Sequence, residues 1–410
     1  MHRTGALAPP PRDGRGWRPR LGPLLGVLLA LATLGPAAPV TRAAAPRAAA
    51  PAWERLALAA PATRLLTSTG GVTFAQHEQE LWRSDDAGAT WNPITLPADA
   101  SKHWLVAVHP TDPSVLFAAG DGGLARSNDG GATWASVLAV TAVQAVTVSP
   151  ADPQLVYVAA GWAPAEFQLL RSRDGGASWD VLFHADSTYS LCSWGVSVLQ
   201  PHAQDASRLF LAADCAAGRD TSLPLRLSSD QGASFATAYR QDLVRPLALV
   251  GDSAAHPGRF YLAVGDLGTI ANSSNSQLRL LGSDDGGTTW TPVVEMSSQA
   301  SLGVGPLRYQ LTGLAYAPGA EEELYLSVDQ AMPVGPASVP PVVASRVFSG
   351  RVDPDPPSGR AGIPFVFWED LTIPDLGHVS DLAVSGDGAY LYAATEHGLW
   401  RLRRAAPPSG

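Results

Sequence analysis

One eight-residue pattern recurs five times in this chain, with the form Ser-x-Asp-x-Gly-x-(Thr/Ser)-(Trp/Phe). Successive copies start 43, 45, 56 and 55 residues apart. A period in this range is typical of propellers, solenoids or tandem arrays. The repeat therefore constrains the fold of the chain much more tightly than it constrains the function.

Each copy of the pattern lies between two short apolar runs, which predicts a hairpin turn. Gly supplies positive φ in such turns, and the Asp side chain accepts hydrogen bonds from nearby backbone N–H groups. The closing aromatic ring can fold back over the turn. We interpret the repeated positions as structural, because ligands of a single site should converge from different blades. These positions are Ser84, Asp86, Gly88, Trp91, Ser127, Asp129, Gly131, Trp134, Ser172, Asp174, Gly176, Trp179, Ser228, Asp230, Gly232, Phe235, Ser283, Asp285, Gly287 and Trp290.

The repeat resembles the Asp-box, or BNR, repeat of sialidases, xyloglucanase-type hydrolases, sortilin-type domains and photosystem II assembly propellers. The resemblance covers residues 53–404 and implies a β-propeller. It does not imply one activity, because these relatives share the repeat and differ in function.

Counting strands predicts an all-β, single seven-bladed propeller of four-stranded antiparallel blades; six or eight blades remain alternatives. The last unit supplies only three strands. Residues 53–58, which begin with Trp53, supply a fourth and close the ring, so that no sheet edge is left exposed there.

The N-terminus reads as a secretory signal. Five Arg residues precede an apolar stretch at residues 21–35, which is too short for a typical membrane span of about 20 residues. We predict a signal peptide and the start of a linker at 1–45, an Ala/Pro linker at 46–52, the propeller at 53–404 and a disordered tail at 405–410. An uncleaved anchor is the alternative. The protein is expected to be secreted or held in the cell envelope.

Charge excludes one class of partner. Removal of residues 1–45 takes away six Arg and one Asp, which moves the formal net charge from −9 to −14. Proteins that bind nucleic acid present basic patches, so we expect no nucleic-acid partner, no membrane span after cleavage, and a monomer.

The two cysteines are predicted to form a disulfide. An exported chain is oxidised, and Cys192 and Cys215 fall near neighbouring strands of blade four if Leu199 pairs near residues 206–207. Two buried free thiols are the alternative. Neither cysteine belongs to a zinc-like cluster, so no metal site is assigned.

Acidic residues follow five of the seven predicted second strands, on the face opposite the Asp boxes. Two such carboxylates could act as acid and base in glycoside hydrolysis, and a ring of them could hold calcium. Ordinary turn chemistry is the competing interpretation. These candidates are Asp121, Asp214, Asp266, Asp329 and Glu396.

Aromatic and histidine residues near the same face are candidate binding residues. Aromatic rings can stack on sugars, and a histidine in a loop is more often a surface residue than a ligand. The candidates are Trp104, Trp162, Trp194, His103 and His397, with His378 also nearby.

The relatives differ in residues that this chain can be checked for. Sialidases carry an Arg triad and a Phe/Tyr-Arg-Ile-Pro segment before the first repeat, and no such segment occurs at residues 52–56, which counts against a sialidase. The catalytic segment of xyloglucanase-like enzymes has only a short match around Asp121, and those enzymes use two propellers. The sequence therefore favours a non-catalytic scaffold without a cofactor that binds an extracytoplasmic protein or carbohydrate. A glycoside hydrolase is the alternative.

Overall fold

The computed structural model describes residues 52–58, 61–68, 71–97, 105–120, 122–161, 166–184, 194–215, 224–242, 244–266, 277–297, 308–317, 322–332, 342–353, 365–372 and 376–404. Within these residues, 28 strands form seven four-stranded antiparallel sheets arranged as a ring. No helix among them is long and apolar enough to cross a membrane. The predicted seven-bladed β-propeller is confirmed.

The first three blades read from the innermost strand outward in chain order. Strand β1 (Trp53–Arg55) precedes them and belongs to the last blade. Blade one is β2 (Arg64–Thr67), β3 (Thr73–His77), β4 (Glu80–Ser84) and β5 (Asn92–Ile94); blade two is β6 (Leu105–Val108), β7 (Leu116–Gly120), β8 (Gly123–Ser127) and β9 (Ala135–Leu138); blade three is β10 (Val143–Val148), β11 (Val156–Ala160), β12 (Gln168–Ser172) and β13 (Asp180–His184).

The remaining four blades follow the same order. Blade four is β14 (Trp194–Pro201), β15 (Leu209–Cys215), β16 (Leu225–Ser228) and β17 (Ala236–Tyr239); blade five is β18 (Val244–Gly251), β19 (Phe260–Asp266), β20 (Gln277–Ser283) and β21 (Thr291–Ser297); blade six is β22 (Arg308–Ala317), β23 (Glu323–Met332), β24 (Val342–Asp353) and β25 (Phe365–Asp370); blade seven is β26 (Val379–Val384), β27 (Tyr390–Thr395) and β28 (Gly398–Arg403), with β1 outermost.

The core lies between neighbouring blades. The second strands β7 and β11 are buried at every residue, and both are continuous apolar runs. The fourth strand β13 is mostly exposed. This difference arises because a second strand is covered on both faces by adjacent blades, whereas a fourth strand lies on the outer wall.

The ring closes through β1, as the sequence predicted, although the strand is shorter than the predicted residues 53–58. Trp53 pairs with Leu402, and Arg55 pairs with Trp400. The indole Nε1 of Trp53 donates to the carbonyl oxygen of Leu371 at 2.9 Å, which links the strand to blade six. Leu56 is buried just beyond it.

Each Asp box is a turn between a third and a fourth strand, closed by the same set of hydrogen bonds. In blade two, Gly131 N donates to Ser127 Oγ at 2.8 Å, and Ser127 Oγ donates to Asp129 Oδ1 at 2.8 Å. Thr133 donates to Asp129 from both its backbone N–H and its hydroxyl, at 2.9 and 2.6 Å. These two donors hold the pKa of Asp129 at about 2. The other four boxes repeat this arrangement.

The invariant glycine of each box lies against the preceding blade. A Cβ atom on Gly131 would lie 2.3 Å from Ile94 Cγ2, and one on Gly287 would lie 2.4 Å from Phe210 Cζ. Gly88 packs against Leu56 in the same way, so the segment that closes the ring also contacts the first box. The boxes are therefore joints between blades as well as turns within them.

Arginine residues of one blade also hold the box of the next. The backbone carbonyl just before the invariant glycine accepts a guanidinium hydrogen bond from the preceding blade in four of the five boxes. The donor and acceptor pairs are Arg401 with Ala87, Arg126 with Gly175, Arg171 with Gln231, and Arg208 with Gly286.

The joint between blades five and six has no Asp box and is ionic instead. Glu322 is buried, and its carboxylate lies 2.8 Å from Arg259 Nη1. The hydroxyl groups of Tyr261 and Tyr316 donate to the same carboxylate at 3.0 and 2.8 Å. A buried carboxylate is tolerated here because its oxygen atoms all have donors.

The joint between blades six and seven is built in a similar way around Glu323. Arg404 Nη2 lies 2.9 Å from the Glu323 carboxylate, and Arg351 Nε lies 3.0 Å from it. Tyr325 donates its hydroxyl to the same group at 2.5 Å. These contacts hold the pKa of Glu323 below its usual range, although burial alone would raise it.

Two sequence predictions of local pairing are wrong. Leu199 pairs with Leu211 and not with residues 206–207, because the turn from His202 to Arg208 is longer than assumed and closes by its own backbone hydrogen bonds. Trp194 consequently faces Cys215. Cys192 lies outside the described residues, so the disulfide stays a prediction.

The second error concerns blade six. Several prolines within residues 330–344 predict an irregular stretch that could add a contact loop, but the β23–β24 pairing continues until Met332 faces Val342. The proline residues that suggested a loop lie at 333–341, outside the described residues.

Candidate functional site

The face opposite the Asp boxes carries the ends of the second strands. The acidic candidates that the structure describes lie at this face. Each is opposite a residue near the start of the inner strand of its own blade, or opposite the residue just before that strand. Asp214 pairs with Gly195, Asp266 with Val244 and Asp329 with Gln310, while Glu396 N donates to His378 O at 3.0 Å.

The structure describes the candidate residues to different extents. Only the backbone is described for Asp214, Asp266 and Trp194, which are strand residues. His397 and Glu396 are exposed. Asp121, Trp104, Trp162 and His103 lie outside the described residues.

Asp329 is not the exposed acid after a strand that the sequence suggested. It lies within β23 and is 7% exposed. The reason is the long pairing of blade six, which continues beyond Asp329 and carries this carboxylate into the interface with blade seven.

The Asp329 carboxylate is held by two side chains from different elements. Ser345 on β24 donates its hydroxyl to Oδ1 in a very short contact, and the same hydroxyl oxygen accepts the Val379 N–H at 3.0 Å. His378 Nδ1 lies 3.0 Å from Asp329 Oδ2. The carboxylate thereby fixes the orientation of the imidazole.

Glu396 holds the backbone of the same histidine. Its Oε1 accepts the His378 N–H at 2.9 Å. Gly377, with φ of +68°, makes this approach possible, because a Cβ atom there would lie 2.7 Å from Glu396 Oε1 and 2.4 Å from His397 Nδ1. The structure therefore brings together Asp329, Glu396 and His378, three residues that the sequence placed near one face.

This arrangement presents an oriented imidazole to solvent. The His378 side chain is 43% exposed, with Nδ1 directed to Asp329. Ser345 donates to the carboxylate and not to the imidazole, so the three side chains do not form the Ser-His-Asp relay of a nucleophilic enzyme. Within the described ranges, no group of three or more His, Cys, Asp or Glu has the geometry to hold a metal ion.

An aspartate between two inner strands was missed by the sequence analysis. The side chain of Asp381, on β26, accepts hydrogen bonds from the backbone N–H of Leu65 in blade one and from that of the adjacent residue Leu382, both at 2.8 Å. Burial raises its pKa to about 6, against the lowering effect of these donors and of the nearby positive charge of Arg64. No motif surrounds Asp381, so only its position in a mainly apolar strand could have drawn attention to it.

We expect Arg64→Met to raise the pKa of Asp381 above about 6, because the attraction of the guanidinium for the carboxylate is lost. The folded-state pKa exceeds the usual 3.8. The folded chain therefore binds more protons between roughly pH 4 and 6, and stability falls as pH rises through that window. A carboxyl ¹³C NMR titration measures the pKa, and Arg55→Met, on an exposed residue of β1, is the control. A wild-type pKa near 4 would contradict the expectation.

A small cavity lies against blade two and is lined in part by residues 122–123 of the β7–β8 turn, which belongs to this face. It has a volume of about 160 Å³, with Pro97, Leu124, Trp134 and Ser136 among its lining residues. Pockets for small-molecule ligands are usually roughly 300–1,000 Å³. The volume of this cavity lies below that range.

Comparison with known proteins identifies the fold alone. No protein-family model matches the chain, and no curated protein matches it. Among solved structures, an ancestral GH74 enzyme matches with a TM-score of 0.57 and 14% identity over 85% of this chain. The chain spans only 45% of the length of that enzyme.

Two other solved structures match over nearly their whole length. YCF48 from Cyanidioschyzon merolae has a TM-score of 0.54 and 11% identity, covering 87% of this chain and 99% of its own. A chain of the Mitotic Checkpoint Complex has a TM-score of 0.53 and 13% identity, covering 94% and 100%. The propeller is thus similar both to an enzyme and to a component of a protein assembly.

Proposed function

We propose that the chain is an exported, non-catalytic Asp-box propeller that binds a protein or carbohydrate through the face opposite its Asp boxes. The segment at residues 1–45 supports export, and the five boxes support membership of the Asp-box superfamily. In this proposal the protein acts in the cell envelope or outside the cell, as a monomer and without a cofactor.

The observation that carries the proposal is the state of Asp329. A glycosidase needs two carboxyl groups that reach the scissile bond, one as acid and one as base or nucleophile. Asp329 is buried, and its oxygen atoms already contact Ser345 and His378. Glu396 uses one oxygen to hold the His378 backbone. These two acids therefore support the shape of the face, while His378 and the outer part of Glu396 are available for contacts.

The binding and hydrolase proposals predict opposite results for the same set of protein variants. We expect a pull-down from the native secretome, together with a glycan array, to yield a ligand whose affinity falls at least fivefold in His378→Ala or Glu396→Gln. Asp284→Asn is the matched control, because Asp284 is an exposed acid at the variable second position of the fifth Asp box, on the other face. We expect no release of reducing sugars from a polysaccharide panel.

The glycoside hydrolase alternative would rest on the remaining candidate acids. Reducing-sugar release that disappears in Asp214→Asn or Asp266→Asn would support it and contradict the scaffold proposal. A ligand that binds the Asp284→Asn variant weakly and the Glu396→Gln variant normally would place the binding surface on the Asp-box face instead.

A further inference from the structure

The third strand of blade six differs from the other third strands in its outer pairing. β25 pairs with β24 only from Phe348 to Asp353. Leu371 N then donates to Val347 O at 2.8 Å, and Val347 N donates to Thr372 Oγ1 at 2.9 Å. These are the last hydrogen bonds between the two segments among the described residues. Residues 342–346 therefore have no outer partner strand among the residues that the structure describes. We call this segment the blade-six edge.

The other blades show no comparable segment in their described parts. The third strands β12 and β20 pair with their outer neighbours from the first residue, Gln168 and Gln277 respectively. The strands β4, β8, β16 and β28 leave at most two terminal residues unpaired at either end. Among the described strands, a five-residue stretch without an outer partner is thus found in blade six alone.

The inner side of the blade-six edge is fully paired. Arg346 faces Val328, Ala344 faces Gln330 and Val342 faces Met332 on β23. Because the N–H and C=O groups of one residue point to the same side of a strand, and alternate from residue to residue, the outward groups follow from Val347. Val347 bonds outward, so Ser345 and Val343 also direct their N–H and C=O groups outward.

We propose that the blade-six edge is a docking site for an extended segment of a protein partner, which adds antiparallel to β24 in continuation of β25. This inference rests on the proposed binding function and gives it a chemical class of ligand. An exposed strand edge is a template for a further strand, and main-chain hydrogen bonds supply the affinity in such complexes.

The chemistry of the edge selects a polypeptide backbone. Val343 and Ser345 each offer one donor and one acceptor, repeated at about 7 Å along the strand. An extended peptide has the same alternation and spacing, so two of its residues satisfy all four groups. Arg346 flanks these groups with a side chain that is 47% exposed and 3.4 Å from Asp370. A carboxylate on the peptide can approach this guanidinium.

A second copy of the chain is a weaker candidate for the same edge. Stable protein interfaces bury about 1,200–2,000 Å² in total, and pairing of two five-residue edges alone covers far less. The edge also continues directly into the proposed binding face, since Ser345 bonds both Asp329 and the Val379 N–H.

The openness of the edge is tested first on the full chain without ligand. Hydrogen–deuterium exchange at single-residue resolution should show the Val343 and Ser345 amides exchanging at least tenfold faster than those of Ala344 and Arg346, which bond β23. Equal protection at all four positions would mean that another part of the chain covers the edge, and would overturn the proposal.

Docking is tested with a random 12-residue peptide library displayed on phage. Retained peptides should bind Val343→Pro at least tenfold more weakly, because proline removes an outward N–H. They should bind Val343→Ala normally, because alanine keeps it. N-methylation along the peptide should weaken binding at every second residue. A concentration-dependent dimer that Val343→Pro abolishes would instead assign the edge to a second copy.

The outcomes separate this inference from the broader function. Peptides that bind Val343→Pro as well as the wild type, but are lost in Glu396→Gln, overturn the docking edge and leave the binding face intact. Both proposals are overturned if neither the peptide library nor the pull-down yields a ligand whose binding is weakened by Val343→Pro or by Glu396→Gln.

Discussion

A chain that begins at Ala57 is expected to lose cooperative unfolding, because it lacks the strand that closes the ring. The deletion removes the pairing of β1 with β28 and the indole hydrogen bond from Trp53 to Leu371. It also removes the buried residue Leu56, which packs against Gly88 of the first Asp box. Losing the Trp53 and Leu56 side chains costs on the order of 6 kcal/mol. The whole stability of a typical domain is about 5–15 kcal/mol.

Urea unfolding followed by tryptophan fluorescence and circular dichroism measures this effect. A chain that begins at Ala50 is the matched control, since it loses the preceding residues and keeps β1. Trp53→Ala should fall between the two and lower stability by about 3 kcal/mol. If the chain beginning at Ala57 unfolds with the same midpoint as the control, β1 does not close the ring in solution.

Gly131→Ala is expected to lower stability by about 3–4 kcal/mol through two separate effects. Gly131 has φ of +91°, a conformation that costs an L residue about 1–2 kcal/mol. The new methyl group would also lie 2.3 Å from Ile94 Cγ2, and overpacking of this kind costs about 1–3 kcal/mol. The measurement is the midpoint of chemical denaturation, compared with the wild type at an unchanged slope of unfolding free energy against denaturant concentration.

The neighbouring glycine separates the two effects. Gly130 also has positive φ, at +73°, but a Cβ atom there would approach only Arg83 Nη1, at 3.0 Å. Ala87 and Gln231 occupy the equivalent position in other boxes, with φ of 56° and 60°. Gly130→Ala should therefore cost only about 1 kcal/mol. Equal effects of the two substitutions would show that contact between blades contributes nothing to the requirement for glycine.

The repeat made the ring predictable because it is a local signal. Turn residues at fixed positions between apolar runs determine where each hairpin lies, and the aromatic start of residues 53–58 identified the closing strand. The Arg contacts between blades also had a signal that was overlooked. Arg126 and Arg171 stand directly before the Ser of their boxes and bond the next box along the chain.

The candidate site was less predictable because it depends on contacts between blades. The sequence placed Asp329, Glu396 and His378 near one face, but a position along one strand does not show what packs against it. The burial of Asp329 follows from the length of β23 and β24, and the prolines beyond Gln330 obscured that length. Ser345 lies in no recognisable motif. Its role is visible only in the structure, where its hydroxyl on β24 accepts the Val379 N–H of the next blade.

The two carboxylates Glu322 and Glu323 make the ring chemically asymmetric. The joints among blades one to five rest mainly on glycine contacts and hydrogen bonds, with a buried His202–Asp252 pair between blades four and five. Both joints of blade six centre on a glutamate held by arginine. The Arg351 and Arg404 contacts with Glu323 are partly open to solvent, so mobile ions can reach them. Raising the ionic strength is therefore expected to weaken the Glu323 joint of blade six, the blade that also carries the blade-six edge and the Asp329 carboxylate.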